Sequence, residues 1–248
     1  MMAIKENKIA NFILALFLIF ALWQMVGMFI KSPILPPPTK IMINIFTTFR
    51  SQIAIHALHS LKRIIIGLII SVTVGTVIGV LMGYFKNVDS ILSPIIYFNY
   101  PIPKIALLPI VMLIFGLGDL TKIFMIFLIT FFQIVVNIRD EVKNIPDEVF
   151  YPMYSVGANN IQIIREIILP GIVPGILTSL RIGIGTSISV LFFTENFGTE
   201  YGMGYFIMDS WMRVNYIQMY SGILILSFIG LVIFITIDVI ENICCPWR

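Results

Sequence analysis

The chain has 248 residues, of which 58% are apolar and only 12% charged, and its formal net charge is +3. Soluble domains carry about 25% charged residues, so this chain has too few charges to cover a water-exposed surface. The composition therefore excludes an ordinary soluble domain and makes the lipid bilayer the expected surroundings. The small net charge, without a basic run, argues against nucleic acid as a partner.

Apolar runs of about 20 residues, long enough to cross a bilayer as helices, recur along the chain. Backbone groups in lipid must be satisfied within their own element, so these runs predict an all-α, polytopic membrane protein. Residues 1–32 hold the first transmembrane helix, 33–60 an extracytoplasmic segment with a short amphipathic helix, and 61–242 the core. We predict about six spans, at 9–30, 61–84, 90–115, 120–138, 171–194 and 217–240.

Small residues recur at a four-residue spacing in two of these spans. Such a stripe lies on one face of a helix and lets a second helix approach closely, so we predict tight helix packing there. The second span carries five of these residues and the fifth carries three: Gly67, Ser71, Gly75, Gly79 and Gly83, then Gly175, Ser179 and Gly183.

The third predicted span contains four prolines, Pro94, Pro101, Pro103 and Pro109, with Lys104 among them. Proline removes a backbone donor from a helix, so this span is predicted to be kinked or broken. Broken helices at membrane depth often border a transport route. A kinked helix that only packs against its neighbours is an equal alternative.

The segment 139–170 is predicted to form two short amphipathic helices joined by a sharp turn. Residues 146–156 form the first, which ends at Gly157, a suitable left-handed C-cap. Asn159 then caps the second, with Gln162 in the capping-box position, and that helix stops near Pro170. This shape fits a cleft on a soluble partner.

Polar residues inside the membrane are candidates for a translocation path, because burying them in lipid is costly. Arg181 could grip an anionic solute, or pair with an acid to fix packing. The amides of Gln133 and Asn137 could line a route or bond between helices. The candidates are Lys104, Gln133, Asn137, Arg181 and Glu195.

The sequence predicts no catalytic centre. It has no glycine-rich phosphate-binding loop followed by lysine, so the chain itself is not expected to hydrolyse ATP. The histidines, His56 and His59, lack the further ligands that a metal site needs. We predict neither catalytic nor metal-binding residues.

The run Ser155-Val156-Gly157-Ala158-Asn159, followed by Ile168-Leu169-Pro170, resembles the signature loop of permease subunits of binding-protein-dependent ABC importers. Other motifs resemble the nitrate, sulfonate and taurine branch of that family. They are Leu35-Pro36-Pro37-Pro38, Ser60-Leu61-Lys62-Arg63, Pro101-Ile102-Pro103-Lys104, Phe115-Gly116-Leu117-Gly118 and Gly202-Met203-Gly204-Tyr205.

This resemblance implies a type I ABC importer permease fold in the cell membrane, with 139–170 as a cytoplasmic coupling loop. It implies ABC ATPase subunits that carry ATP and Mg, a second permease copy and an extracytoplasmic substrate-binding protein as partners, with no cofactor on this chain. The solute would be small and anionic (a sulfonate, taurine, nitrate or bicarbonate) or a vitamin precursor. An ion-gradient-driven transporter or channel is the alternative.

The resemblance also assigns residues that contact the ATPase, and one departure from the family pattern lies among them. Where the family has Glu-Ala-Ala, this chain has Tyr151, Pro152 and Met153, which places a proline inside the first coupling helix. Either the cleft of the ATPase is altered to match, or the contact relies mainly on the Gly157 turn. The expected coupling residues are Tyr151, Pro152, Met153, Ser155, Gly157, Ala158, Asn159 and Pro170.

Overall fold

A computed structural model describes the backbone of residues 2–246 and the side chains of residue 11 and of residues 14–246. In that part of the chain the ordered elements are helices and no strand is present, which confirms the all-α class. The α-helices are α1 (Met2–Ile30), α2 (Pro38–Thr48), α3 (Ala54–Tyr84), α4 (Lys86–Asn99), α5 (Leu108–Phe115), α6 (Asp119–Lys143), α7 (Tyr151–Ser155), α8 (Asn160–Ile163), α9 (Leu169–Thr194), α10 (Met203–Met212) and α11 (Tyr216–Cys244).

The number of spans is close to the prediction of about six. The helices α4 and α5 form a pair bent by 81°, which makes a fifth candidate span beside four continuous ones. A shorter apolar helix, Leu14–Ile30, lies where the first span was predicted. The four continuous candidates among the described residues are Pro38–Tyr84, Asp119–Lys143, Asn160–Thr194 and Tyr216–Cys244.

The second span begins earlier than predicted, at Ala54 instead of residue 61. A π-helical turn at Phe49–Ile53 joins it to α2, so helix is continuous from Pro38 to Tyr84. The predicted span already contained Lys62 and Arg63, although charges are costly in lipid. Arg63 is only 3% exposed and finds acidic partners inside the protein, so the helix passes through it.

The fourth span also exceeds its predicted end at residue 138. Helix α6 continues to Lys143, and the guanidinium of Arg139 and the ammonium of Lys143 both bond to Asp89 of α4, at 2.5 and 2.6 Å. Pairing with one carboxylate compensates both cations at the membrane boundary, so the charged residues do not end the helix.

The predicted glycine stripe of α3 packs against α6, and the two helices meet in the same four-residue register. A Cβ added at Gly75 would lie 2.8 Å from Cγ2 of Ile134, closer than van der Waals contact allows. The Ser71 hydroxyl accepts a hydrogen bond from Thr130 at 2.6 Å. The facing pairs along this seam are Gly67 and Ile126, Ser71 and Thr130, Gly75 and Ile134, Gly79 and Ile138, and Gly83 and Val142.

The small-residue stripe of α9 packs against the adjacent face of α6, which confirms the predicted close packing. A Cβ at Gly175 would lie 2.6 Å from Cγ of Glu141, and the Ser179 hydroxyl accepts a hydrogen bond from Asn137 at 2.5 Å. Helix α6 is therefore the centre of the fold, held between α3 and α9. Its buried side chains, among them Ile126, Ile134 and Ile138, fill the cores on both sides.

Candidate functional site

The segment 144–168, which we name the α6–α9 loop, contains the predicted turn. The backbone N–H of Gly157 donates to the Tyr154 carbonyl at 3.1 Å, and that of Ala158 donates to the Met153 carbonyl at 3.0 Å. These two bonds form a Schellman motif, which satisfies carbonyl groups at the end of α7. Gly157 has φ of +72°, and a Cβ there would meet nothing within 4 Å. Within this chain, glycine is therefore favoured by its backbone conformation and not by lack of space.

The helix after the turn begins with the predicted capping box. The Asn159 side chain accepts from the Gln162 N–H at 2.9 Å, and the Gln162 side chain accepts from the Asn159 N–H at 2.8 Å. The Tyr84 hydroxyl at the end of α3 donates to Asn160 Oδ1 at 3.0 Å. The turn is thus fixed by local bonds on both sides, and the Tyr84 hydroxyl links the helix after it to the end of α3.

The sequence predicted that the second helix of the loop stops near Pro170, and this prediction is wrong. Helix runs without interruption from Asn160 to Thr194, through a π-helical turn at Ile164–Ile168. Pro170 lies in the first turn of α9, directly after that wider turn. The π turn, closed by the bond from the Leu169 N–H to the Ile164 carbonyl, adjusts the helix just before a proline that lacks a donor. Movement of the turn could therefore pass along a continuous helix into the fifth predicted span.

Pro152 was expected inside the first helix of the loop, but it stands in the first turn of α7, where a missing N–H is tolerated. A 3₁₀ turn at Asp147–Val149 precedes α7, so the predicted single helix 146–156 is two short pieces. The departure from Glu-Ala-Ala thus shortens the first helix without disrupting it. Tyr151 is exposed, and Ser155 donates back to the Tyr151 carbonyl at 2.9 Å.

The α6–α9 loop has a buried face and an exposed face. Phe150, Ile163 and Ile168 pack on the C-terminal ends of α3 and α6. On the other face, Val156 is 77% exposed and Ile161 76% exposed, on either side of the Gly157 turn. Exposed apolar side chains on a polar loop outside the membrane are typical of a surface that a partner covers.

The opposite end of the α3–α6 seam holds a group of charges of which the sequence analysis singled out only Glu195, as a candidate path residue. Arg63 lies between two carboxylates, with Asp119 Oδ1 and Glu195 Oε1 each at 2.6 Å. Glu195 is fully buried, and the Ser60 hydroxyl also bonds to it, at 2.8 Å. We name Ser60, Arg63, Asp119 and Glu195 the Arg63 cluster. It joins the N-terminal parts of α3 and α6 to the end of α9.

The segment 196–202 closes over the Arg63 cluster. The Gly204 N–H donates to Glu195 at 2.8 Å, and the Met203 N–H donates to Ser60 at 2.7 Å, so the cluster also fixes the start of α10. Arg63 donates to the Tyr201 carbonyl at 2.7 Å. Gly202 has φ of +154°, and a Cβ there would overlap the Glu195 carboxyl group. The glycine allows the chain to pass directly over the buried acid.

Two further residues hold this segment and were not predicted as sites. His56 Nδ1 accepts from the Gly202 N–H at 3.1 Å, so the imidazole orients the backbone. Lys122 is 1% exposed and donates to the Leu117 and Gly198 carbonyls. The signal that could have found them was position, because several titratable residues lie near span ends that share one side of the membrane. They are His56, Arg63, Lys122 and Glu195.

Lys104 caps the break in the bent span. Pro101 and Pro103 supply no N–H, so nearby carbonyls lose their helical partners. The ammonium group donates to the carbonyls of Asn99 at 2.5 Å, Tyr100 at 3.0 Å and Ile102 at 3.3 Å. In this conformation the cation stabilises the break. The bend between α4 and α5 confirms the predicted break in this span.

The remaining candidate path residues bond mainly within the protein. Arg181 donates to Asp238 and Glu241 of α11, as the packing alternative predicts. Asn137 donates to Ser179 and, at 3.3 Å, to the Gly175 carbonyl. Gln133 Oε1 is buried and accepts no hydrogen bond within the described part of the chain. The Nε–H of Arg181 is likewise buried without an acceptor among the described residues, so both side chains keep unused polar capacity.

Residues 2–246 contain no group of three or more His, Cys, Asp or Glu side chains placed to hold a metal ion. The polar groups gathered in the Arg63 cluster are already paired with one another and with the backbone. Their arrangement serves to join helices: the Ser60 hydroxyl that donates to Glu195 also accepts from the Met203 N–H.

Comparison with known families matches residues 75–246 to the binding-protein-dependent transport system inner membrane component. Among curated proteins, the chain is 30% identical to a putative ABC transporter permease protein of Methanocaldococcus jannaschii, covering 92% of this chain and 88% of that protein. It is 29% identical to the taurine transport system permease protein TauC of Escherichia coli, covering 91% and 85%. It is 30% identical to the formylaminopyrimidine transport permease protein ThiX of Halalkalibacterium halodurans, covering 93% of each.

Among solved structures, an inward-facing form of the MetNI methionine ABC transporter matches with a TM-score of 0.68. The match covers 76% of this chain and 94% of the solved chain, at 20% sequence identity. At that sequence identity, the similarity shows that the two chains share a fold and nothing more.

Proposed function

This chain belongs to the family of inner membrane components of binding-protein-dependent transport systems, and on that premise we propose that its α6–α9 loop docks on a separate ATPase and transmits force into α9. The chain is a multi-pass permease subunit of an ABC importer, with the type I importer fold, and ATP hydrolysis resides in another subunit. Family membership makes the ion-gradient-driven alternative unnecessary. The ATP and Mg needed for transport would be bound by the partner.

The exposed turn carries this proposal. Val156 and Ile161 present apolar surface on both sides of Gly157, while the Schellman motif and the capping box hold the backbone between them. A rigid projection with an apolar tip can enter a groove without a large ordering cost. The helix that follows is continuous to Thr194, so displacement of the turn can move the outer end of α9.

The transport route is proposed to lie between two copies of this chain, with an extracytoplasmic protein delivering the solute. Lys104 and Arg181, the cations predicted along the route, are engaged by carbonyls and by acids. We therefore expect the external protein, and not a cation of this chain, to set the choice of solute. The relatives named for taurine and for formylaminopyrimidine transport make a small sulfonate, another small anion or a vitamin precursor the proposed cargo.

The decisive experiment measures substrate-stimulated ATPase activity after reconstitution of the permease with its ATPase and binding protein. Val156→Glu places a charge in the proposed groove and should reduce stimulation at least tenfold, because an unpaired buried charge is costly. Val156→Thr keeps the side-chain shape and should stay within about twofold of the wild type. Equal stimulation in the Glu and wild-type proteins would refute docking through this turn.

A sidedness measurement tests the orientation separately. Cys244 is exposed and Cys245 buried, so both are first changed to serine, and Val156→Cys is then introduced. A membrane-impermeant thiol reagent added outside intact cells should leave this cysteine unmodified, and the same reagent should label it in inverted vesicles. Labelling from outside would place the α6–α9 loop on the wrong side for an ATPase.

A further inference from the structure

A cavity lies at the opposite end of the protein from the α6–α9 loop. Its volume is about 820 Å³, and it opens between the end of α1, the proline segment 32–37 and the start of α11. Two lysines, Lys31 and Lys40, border it, and its lining contains no Asp or Glu side chain. Gly27, Pro37, Asn215 and Tyr216 form part of the walls.

The two lysines meet at one cavity because the chain folds back between them. Lys31 directly follows α1, and Lys40 lies in the first turn of α2 after the proline segment. Gly27 permits close approach, since a Cβ there would lie 3.1 Å from Cα of Pro37. Within the described residues, neither ammonium group has a hydrogen-bond or ion-pair partner. The cavity therefore carries two uncompensated positive charges.

The surroundings of this cavity are those of a membrane interface. Met28 and Phe29 at the end of α1 are exposed, as are Met212 and Val214 beside the start of α11. These apolar side chains suit contact with acyl chains, while lysines extend toward the head groups.

An aromatic pair lies one turn deeper along α1 and α11. The rings of Trp23 and Tyr220 are 5.5 Å apart, and the Trp23 indole N–H has no acceptor in the described part of the chain. Tryptophan and tyrosine concentrate at the level where acyl chains meet head groups. The pair thus indicates that the cavity lies at that level.

We propose that this two-lysine cavity binds the phosphate group of an anionic phospholipid from the outer leaflet. The lysines pair with the phosphate, and the apolar rim contacts the acyl chains. A free phosphate ion would share the first interaction but not the second. A bound lipid would join α1 to the start of α11 and stabilise the packing of the N-terminal helix on the core.

The test compares lipid retention by the full-length permease in native mass spectrometry. Detergent-purified protein is equilibrated with equimolar phosphatidylglycerol and phosphatidylcholine of identical acyl chains. The wild type should retain phosphatidylglycerol with a preference on the order of tenfold, since each lysine near an anionic lipid contributes a several-fold effect. The double variant Lys31→Gln/Lys40→Gln should reduce that preference to less than about twofold.

Two matched variants separate the cavity from general surface charge. Lys31→Arg/Lys40→Arg keeps both charges and should retain the preference. Arg50→Gln removes an exposed cation of the Phe49–Ile53 turn, which does not line the cavity, and should also retain it. An unchanged preference in the double glutamine variant, or its loss in Arg50→Gln, would overturn the proposal.

A second measurement distinguishes the lipid from other anions. If millimolar inorganic phosphate raises Tm through Lys31 and Lys40 while no lipid preference exists, the cavity takes a free anion and the lipid assignment is wrong. If the double glutamine variant binds the extracytoplasmic protein more weakly and lipid preference is unchanged, an acidic protein surface is the partner instead. Neither result would affect the proposed coupling at Gly157.

Discussion

The two ends of the α3–α6 seam are fixed by different kinds of interaction. At the end that we propose to be extracytoplasmic, the outer end, Arg63 and Glu195 of the Arg63 cluster are buried and Asp119 is half-buried, and the cluster joins α3, α6, α9 and α10. At the inner end, the α6–α9 loop depends on backbone bonds and caps between near neighbours, and it leaves Val156 and Ile161 exposed. Distant residues hold the outer end together, so disturbing it should affect the whole fold. Disturbing the inner end should affect mainly the loop and its partner.

The largest expected effect comes from removing the arginine of the Arg63 cluster. Arg63→Met leaves the fully buried Glu195 without its cation, and we expect a loss of about 3–5 kcal/mol in the free energy of unfolding. Denaturant unfolding of the purified permease measures this loss. The control is Lys62→Met, whose side chain is 60% exposed and lies 3.6 Å from Asp119. It should change stability by less than about 0.5 kcal/mol. Similar losses in both variants would show that the buried Arg63 stabilises the fold no more than the exposed Lys62 does.

The seam that connects the two ends should be nearly as sensitive. Gly75→Ala forces a methyl group to within 2.8 Å of Ile134 Cγ2, so the helices must separate at a cost of about 1–3 kcal/mol. The added change Ile134→Ala should recover part of that loss, because the two substitutions affect one contact. Gly185→Ala is the control in α9, where a Cβ meets nothing within 4 Å. That variant should be neutral or slightly stabilising.

The contrast between near-neighbour and distant interactions also separates what could be predicted from the sequence from what could not. The glycine stripe, the broken third span and the capped turn at Gly157 depend on neighbouring residues, so their local patterns identified them. The partner stripe of α6 carries isoleucines, which are ordinary in any membrane helix, and nothing in the sequence indicated that it faces α3. Close packing was therefore predictable, but its partner was not.

The Arg63 cluster could not be predicted from local patterns, because its members come from three separate spans. Arg63 and Asp119 stand near predicted span boundaries, where charges are ordinary, and Glu195 was predicted as a path residue without its partners. Their pairing depends on the packing of α3, α6 and α9 and on the passage of Gly202 over the acid. A similar long-range pairing, of Arg139 and Lys143 with Asp89, explains why α6 extends beyond its predicted end.

At the inner end, substitution of the turn glycine should have a local effect. Gly157→Ala keeps open space around the new methyl group but makes φ of +72° unfavourable by about 1–2 kcal/mol. Hydrogen exchange of amides in 151–163 should rise by roughly 5- to 30-fold, while the global unfolding midpoint stays near the wild-type value. Gly157→Asn tolerates positive φ and should show a smaller rise. Equal global destabilisation by both variants would contradict the contrast between the two ends.

The smallest expected effect concerns the hydrogen bond between Tyr84 at the end of α3 and Asn160 of the α6–α9 loop. Tyr84→Phe removes the donor to Asn160 Oδ1, and water can replace it because Asn160 is exposed, so the loss should be about 0.5–1 kcal/mol. Exchange at 158–163 should rise about two- to fivefold. Tyr97→Phe removes a comparable hydroxyl, bonded to Arg139 at 3.2 Å on the neighbouring helix, and should leave these amides unchanged. If Tyr84→Phe also slows substrate-stimulated ATP hydrolysis, the α3 end belongs to the force path; if exchange rises and hydrolysis does not change, the force passes through α9 alone.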